Sequence, residues 1–163
     1  MNRALLTSLA SIGIAQALKI PTARYRNGRW DWKELWTTGG MPSSHSAGVA
    51  SLATYIGLKK GIASIPFALS TMLGLIVMYD AMGIRRHAGL IAMQVNDLEE
   101  EVGELSRRHP SMLHTKRERE LEERLGHVPE EVAGGALLGM LLGAISYIIE
   151  PKRSRSSRSS KLR

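Results

Sequence analysis

One short stretch, residues 39–46, combines residue types that can perform chemistry. It reads Gly-Gly-Met-Pro-Ser-Ser-His-Ser and comes directly before the apolar segment 47–58. A glycine turn followed by a serine-capped helix start leaves backbone N–H groups available to bind an anion. His45 adds a side chain that gains or loses a proton near pH 7. The stretch therefore predicts an anion site, above all for phosphate, at which a proton can be moved.

A second histidine, His127, is followed four residues later by an acid, Glu131. If a helix begins near His127, the two side chains share a face, and Glu131 can hold one ring nitrogen while the other attacks a substrate or accepts a proton. If Pro129 is the first helical residue, as proline prefers, the contact needs a turn instead. The structural alternative is an ordinary helix start without chemistry.

Charged residues stand at the ends of the neighbouring apolar segments. Lys19 and Arg26 follow the first of them, where two cations are commonly just interfacial anchors. Asp80 directly follows another apolar segment, where an acid is costly unless it is paired. Arg85 or Arg86 is its obvious partner, so Asp80 is predicted to belong to a structural ion pair.

The elements that must position these residues are membrane helices. Residues 4–18, 62–79 and 132–149 contain no Lys, Arg, Asp or Glu, and residues 44–58 form a fourth, more polar candidate span. This pattern predicts an all-α, small multi-pass membrane helix bundle of about four spans. An amphipathic helix over 92–104 and a polar helix over 116–125 form a charged helical loop before the last span. Four alternating crossings bring the candidate site residues to one membrane face.

The chain divides into a membrane domain, residues 1–150, and a basic tail, residues 151–163. Residues 152–163 hold six Lys or Arg and no acid, whereas the rest of the chain has 16 basic and 15 acidic residues. Such a tail is predicted to be disordered and cytoplasmic, near anionic lipid. It contains no aromatic residue, and we expect no nucleic-acid partner. The absence of cysteine excludes disulfides and thiolate chemistry.

The last span carries glycines at four-residue spacing, Gly135, Gly139 and Gly143. They lie on one helix face and permit the close approach of another helix. That helix can belong to the same chain, or to a second copy if the protein forms an oligomer.

Together, these residues resemble the three-part signature of the phosphatidic acid phosphatase type 2 superfamily. They are most similar to its divergent branch, small bacterial membrane proteins related to acid phosphatases and vanadium-dependent haloperoxidases. The resemblance rests on residues 39–47, 79–86 and 126–132. It implies that His127 is the nucleophile that forms a phosphohistidine, that Glu131 orients it, and that His45 protonates the leaving oxygen and later activates water. The phosphate-binding residues that it implies are Lys19, Arg26, Ser43, Ser44 and one of Arg85 and Arg86.

The resemblance therefore implies an integral phosphatase, multi-pass in the cell membrane, that hydrolyses a lipid-linked phosphate or diphosphate without metal or other cofactor. Membrane lipids are its expected partners. One alternative is a non-enzymatic membrane protein that binds anionic lipid headgroups with the same cradle of cations. A third possibility is a scaffold whose basic tail and charged helices recruit cytoplasmic partners.

Overall fold

The structure is a computed structural model that describes residues 2–37, 39–109, 120–123 and 125–151. Its helices are α1 (Arg3–Asn27), α2 (Ser44–Lys60), α3 (Ile65–Met82), α4 (Ile84–Arg108) and α5 (Pro129–Ile149), with a 3₁₀ turn over Trp32–Leu35. The described ranges contain no strand. Three of the helices are long and apolar enough to cross a membrane, in the segments Arg3–Arg26, Ile65–Arg108 and Pro129–Ile149. The predicted all-α membrane bundle is confirmed.

Helix α2, the fourth predicted span, lies in the middle of the bundle and contacts α1, α3 and α5. It is 17 residues long, shorter than its three apolar neighbours. Its hydroxyl residues Ser46 and Ser51 are completely buried. The Ser51 hydroxyl donates to Gly48 O at 2.9 Å and the Ser46 hydroxyl to Ser43 Oγ at 3.0 Å, so these two hydroxyls are satisfied inside protein rather than exposed to lipid.

The glycine face of α5 packs directly on α2. A Cβ atom added at any of the three glycines would overlap the α2 backbone, at Ser43, Ala47 and Ser51 for Gly135, Gly139 and Gly143 respectively. The close approach predicted from the glycine spacing therefore occurs within the chain. This face is consequently not available to a second copy.

Helix α1 continues nine residues beyond the predicted end of the first span, through Pro21 to Asn27. Tertiary contacts extend it: Ile20 and Ala23 are buried, and the Thr22 hydroxyl donates to Met41 O at 2.6 Å. Lys19 consequently lies within the helix and is only 1% exposed, so its interpretation as an interfacial anchor is wrong.

Helix α4 follows α3 after a bend at Gly83 and is longer than the amphipathic helix predicted over 92–104. The polar helix predicted over 116–125 falls partly outside the described residues, and residues 120–123 are not helical. Side-chain hydrogen bonds of Asn96 in α4 hold Leu121 and Glu123 against this helix. The Asn96 amide accepts from Leu121 N and donates to Leu121 O, each at 3.0 Å, which replaces helical backbone bonds there.

Candidate functional site

His127 lies just before α5, whose first helical residue is Pro129. Its Nδ1 is 2.8 Å from Glu131 Oε2, so the pair forms through a turn rather than through helical register. The backbone N–H of His127 donates to Ala81 O at 2.9 Å, which ties the residue to the end of α3. These two contacts fix both the position and the orientation of the ring.

The unused ring nitrogen of His127 is the reactive feature of the site. A carboxylate only accepts hydrogen bonds, so Glu131 places the proton on Nδ1 and leaves a lone pair on Nε2. His127 is 2% exposed, and within the described part of the chain its buried Nε2 has no hydrogen-bond partner. A buried polar atom without a partner is rare and costly, which is typical of a group reserved for a ligand.

The stretch 39–46 holds the start of α5 in place. The backbone N–H of Gly40 donates to the Glu131 carboxylate, and the backbone N–H of Ser43 donates to Glu131 O at 3.0 Å. Ser43 is also the N-cap of α2, and its hydroxyl accepts from Ser46 N at 3.3 Å. Ser43 and Ser44 are buried, so Ser43, predicted to bind phosphate, acts here as a connection between α2 and α5.

His45 lies in the first turn of α2 and faces His127. The two ring centroids are 6.1 Å apart, with an angle of 63° between the ring planes. The His45 side chain is accessible from outside the bundle, in contrast to His127. Burial of its inner side lowers the pKa of His45, and the nearby His127, Arg85 and Lys19 add to this shift.

Folding brings the arginine pair next to His127, although about forty residues separate them in sequence. Gly126 has a left-handed backbone with φ +82°, and a Cβ there would overlap the backbone of Arg85 and Arg86. Gly89 makes a similarly close contact with Glu123 and Leu125. These two glycines allow the chain before α5 to lie directly on the start of α4.

Two cavities formed by the described residues include His127 in their lining, and arginine side chains line each of them. The first, of about 290 Å³, lies between the loop after α1 and the start of α4; its lining includes Arg26, Glu34, Gly40, Arg86 and Glu131. The second, of about 260 Å³, lies beside α3; its lining includes His45, Ile76, Asp80 and Arg85. His127 therefore borders two cavities, and predicted cations line both of them.

The two arginines of the pair differ in their contacts. Arg85 Nε forms an ion pair with Asp80 Oδ2 at 2.7 Å, the arrangement predicted for Asp80. Arg86 is exposed and borders the first cavity together with Arg26. The second cavity is thus bordered by Arg85, which Asp80 holds, and the first by Arg26 and Arg86.

Lys19 is close to the site, but its ammonium is directed towards protein. Its Nζ donates to Thr37 O at 2.9 Å. The Lys19 side chain packs next to Gly40, where an added Cβ would be 3.8 Å from Lys19 Cδ. Lys19 therefore supports the wall of the first cavity, and its direct contact with phosphate stays a prediction.

Glu34 is a member of the site that the sequence did not indicate. It lies in the 3₁₀ turn, is buried, and accepts from the Thr37 hydroxyl at 3.0 Å. Its carboxylate faces Gly40 and borders the first cavity. Its position after Asp31, which caps the turn, is a weak signal for an ordered loop. No local pattern predicts that the acid is buried, because its burial depends on the packing of this loop against α1.

This fold and site define a multi-pass, all-α membrane protein with two histidines and several cations gathered at one end of its bundle. The chain belongs to the Divergent PAP2 family, which it matches over residues 1–142. It is also 42% identical over 145 residues to the uncharacterized membrane protein YuiD of Bacillus subtilis (strain 168), and this match covers 86% of the chain and 91% of the relative. No solved structure matches the chain.

Proposed function

We propose that the protein is a membrane phosphatase that hydrolyses a lipid-linked phosphate or diphosphate through a phosphohistidine. One observation carries this proposal: the buried Nε2 of His127 has no partner in the described structure, while Glu131 holds the opposite nitrogen at 2.8 Å. A histidine held in this way can act as a nucleophile, because its tautomer and the direction of its reactive lone pair are fixed before a substrate binds. Membership of the PAP2-like family supports the same chemistry.

The proposed reaction has two steps. His127 Nε2 attacks the terminal phosphorus and forms an N–P bond, while the P–O bond to the leaving group breaks and His45 donates a proton to the leaving oxygen. The leaving group is the lipid alcohol of a phosphate monoester or the lipid monophosphate of a diphosphate. His45 then removes a proton from water, whose oxygen attacks phosphorus and breaks the N–P bond. Inorganic phosphate leaves, and both histidines return to their starting protonation states.

The cations act on the charge of the phosphoryl group. Arg26 and Arg86 border the first cavity and Arg85 the second, and His127 lines both, so positive charge lies near the equatorial oxygens of a phosphoryl group bound in either cavity. The second cavity also includes Ile76 and Val77 of the membrane helix α3. This apolar wall suits the lipid portion of a substrate that approaches from the bilayer.

The test is phosphate release from phosphatidate and from a polyprenyl diphosphate by the purified full chain in lipid. We expect turnover by the natural protein and a decrease of at least about 10²-fold in the variants His127→Ala and His45→Ala. His87→Ala is the matched control, because His87 is exposed, its Nδ1 lies 3.0 Å from Gly83 O, and it lines neither of the two cavities. Release of no phosphate, or release unchanged in both variants, contradicts the proposal.

The intermediate can be detected directly. With a lipid substrate labelled on phosphorus, rapid quenching should leave label on the protein that is stable in base and lost in acid, as expected for an N–P bond. The label should be absent from the variant His127→Ala. It should accumulate in His45→Ala if a substrate with a good leaving group is used, because hydrolysis then lacks its base.

A second candidate function is the binding of anionic lipid headgroups without turnover. The observation that favours it is the engagement of Arg85 by Asp80 and of Lys19 by Thr37, which leaves fewer cations directed at a ligand. Such a protein would show saturable binding of lipid phosphate, weakened by Arg86→Ala, with no labelled intermediate.

A further inference from the structure

Helix α4 carries an apolar seam along one side. Its members recur at alternating intervals of four and three residues: Ile84, Ala88, Ile91, Val95, Leu98, Val102 and Leu105. The mean interval is 3.5 residues, which is the heptad period of a coiled coil, and it is sustained over three heptads. Neither the bundle nor the proposed catalytic site explains this regularity.

The seam is uncovered within the described structure. Among the described helices, α4 contacts only α3. Leu121, Glu123 and Leu125 pack on a different side of α4, at Gly89 and Asn96. In contrast, Ile91, Leu98 and Leu105 of the seam are 58%, 56% and 47% exposed. Side chains of this size repeated on one exposed face indicate a binding surface rather than scattered surface residues.

The charge of α4 disfavours a bilayer as the occupant of this surface. Residues 87–106 contain five acids and no Lys or Arg. Helices that lie in the headgroup layer usually carry Lys and Arg on their polar face, since the bilayer surface is negative. An acidic helix with a strict heptad seam is more typical of helix pairing.

We propose that the seam binds the same seam of a second copy of the chain, so that the two α4 helices form a parallel, two-stranded coiled coil over residues 84–105. At about 1.5 Å per residue, the paired region is about 33 Å long. Val95 and Val102 occupy the a positions, with Leu98 and Leu105 at d, and this distribution favours parallel dimers.

The residues that flank the seam are compatible with a parallel pair of α4 helices in which equivalent positions meet. In a parallel pair, each g position faces the e position five residues later on the other helix. Gln94 then faces Glu99, and Glu101 faces Ser106, so neither pair places two acids opposite each other. The parallel dimer therefore tolerates the acidic side of α4 without like-charge contacts at these positions.

Cysteine cross-linking of the full chain in lipid vesicles tests both the contact and its direction. The chain has no cysteine, so single substitutions report one position each. Ile91→Cys and Leu105→Cys should each form disulfide-linked dimers under mild oxidation, because equivalent d residues meet in a parallel coiled coil. Glu100→Cys is the control, since position 100 is exposed and lies on the opposite side of the helix.

The mass of the protein in detergent provides a second measurement. We expect about 36 kDa for the natural protein, twice the 17.9 kDa of one chain. Leu98→Glu should reduce this mass to that of the monomer. Met93→Glu should not, because Met93 is also apolar and exposed but lies outside the seam. Unchanged helical circular dichroism in both variants would show that the chain remains folded.

The proposal is overturned if positions 91 and 105 cross-link no faster than position 100, or if Leu98→Glu leaves the mass unchanged. An antiparallel pairing would show cross-links only near the middle of the seam and would also overturn it. If a polarity-sensitive label at position 98 reports an apolar environment while no dimer forms, the bilayer covers the seam instead.

Discussion

At the scale of single residues, the carboxylate of Glu131 determines which nitrogen of His127 can react. We expect Glu131→Gln to lower turnover by about 10²-fold or more, because the neutral amide no longer stabilises the positive charge that develops on the ring. Lipid phosphate binding should remain, and Glu131→Asp, which keeps the charge, should retain more activity than Glu131→Gln. Parallel measurements of turnover and of binding separate this role from a structural one; equal loss of both would contradict it.

The pKa of His45 sets the expected pH dependence. Burial of the inner side of the ring, with the nearby positive groups, lowers this pKa below its ordinary value of 6.5, although Asp80 opposes the shift. His45 must be protonated to act as the acid, so kcat/KM should decline as the pH rises, with a midpoint below 6.5. A bound phosphate adds negative charge and raises the pKa, so the corresponding decline in kcat should lie at higher pH.

The pH prediction is checked with profiles of both kinetic parameters between about pH 4.5 and 8. His45→Ala should lose the alkaline decline, whereas His87→Ala should keep it. A kcat/KM profile that is flat through this range would show that His45 is not the acid.

At the scale of elements, Gly126 is the contact that joins the arginine pair to His127. Gly126→Ala places a methyl group against the backbone of Arg86 and strains a residue with φ +82°. We expect lower turnover together with a loss of stability of about 1–3 kcal/mol, measured by thermal unfolding in detergent. Gly103→Ala in α4 is the matched control, because an added Cβ there meets no atom within 4 Å and should not destabilise the helix. Equal behaviour of the two variants would argue against the contact.

The elements also show how much could be predicted from the sequence. Apolar segments without charges predicted α3 and α5 to within about three residues, since a membrane helix is recognised from its own composition. The continuation of α1 past Pro21, the central position of α2 and the burial of Glu34 could not be predicted. Each depends on contacts between segments that are distant in sequence, such as Thr22 with Met41.

The convergence of the site residues could be predicted from the sequence only in part. The sequence predicted that the ends of the apolar segments meet on one face, and the structure places His45, Arg85 and His127 around one cavity. The prediction counted alternating crossings, whereas the observed proximity also needs the packing of Gly126 on α4. The number of residues between the arginines and His127 therefore carried no information about their distance.

At the scale of the whole molecule, the site and the end of α5 lie at opposite ends of the bundle. Helices α2 and α5 both begin at the site, at Ser44 and Pro129. They end together where Lys59 pairs with Glu150 at 2.6 Å and both bond to Tyr55. The site therefore lies at the end of the bundle opposite to the one at which the chain leaves α5.

We predict that the tail end is cytoplasmic and that the site faces outward. Lys59 and Lys60 and the six basic residues of 152–163 belong to the tail end, and short basic segments next to spans determine orientation more strongly than long loops do. In intact cells, a membrane-impermeant thiol reagent should label Tyr25→Cys, at the site end, and should label Lys60→Cys only after permeabilisation. Both side chains are exposed, so accessibility depends on orientation alone. The opposite labelling pattern would place the site in the cytoplasm, where soluble phosphate esters would compete with lipids. An outward site instead restricts the substrate to phosphates carried by lipids of the outer leaflet.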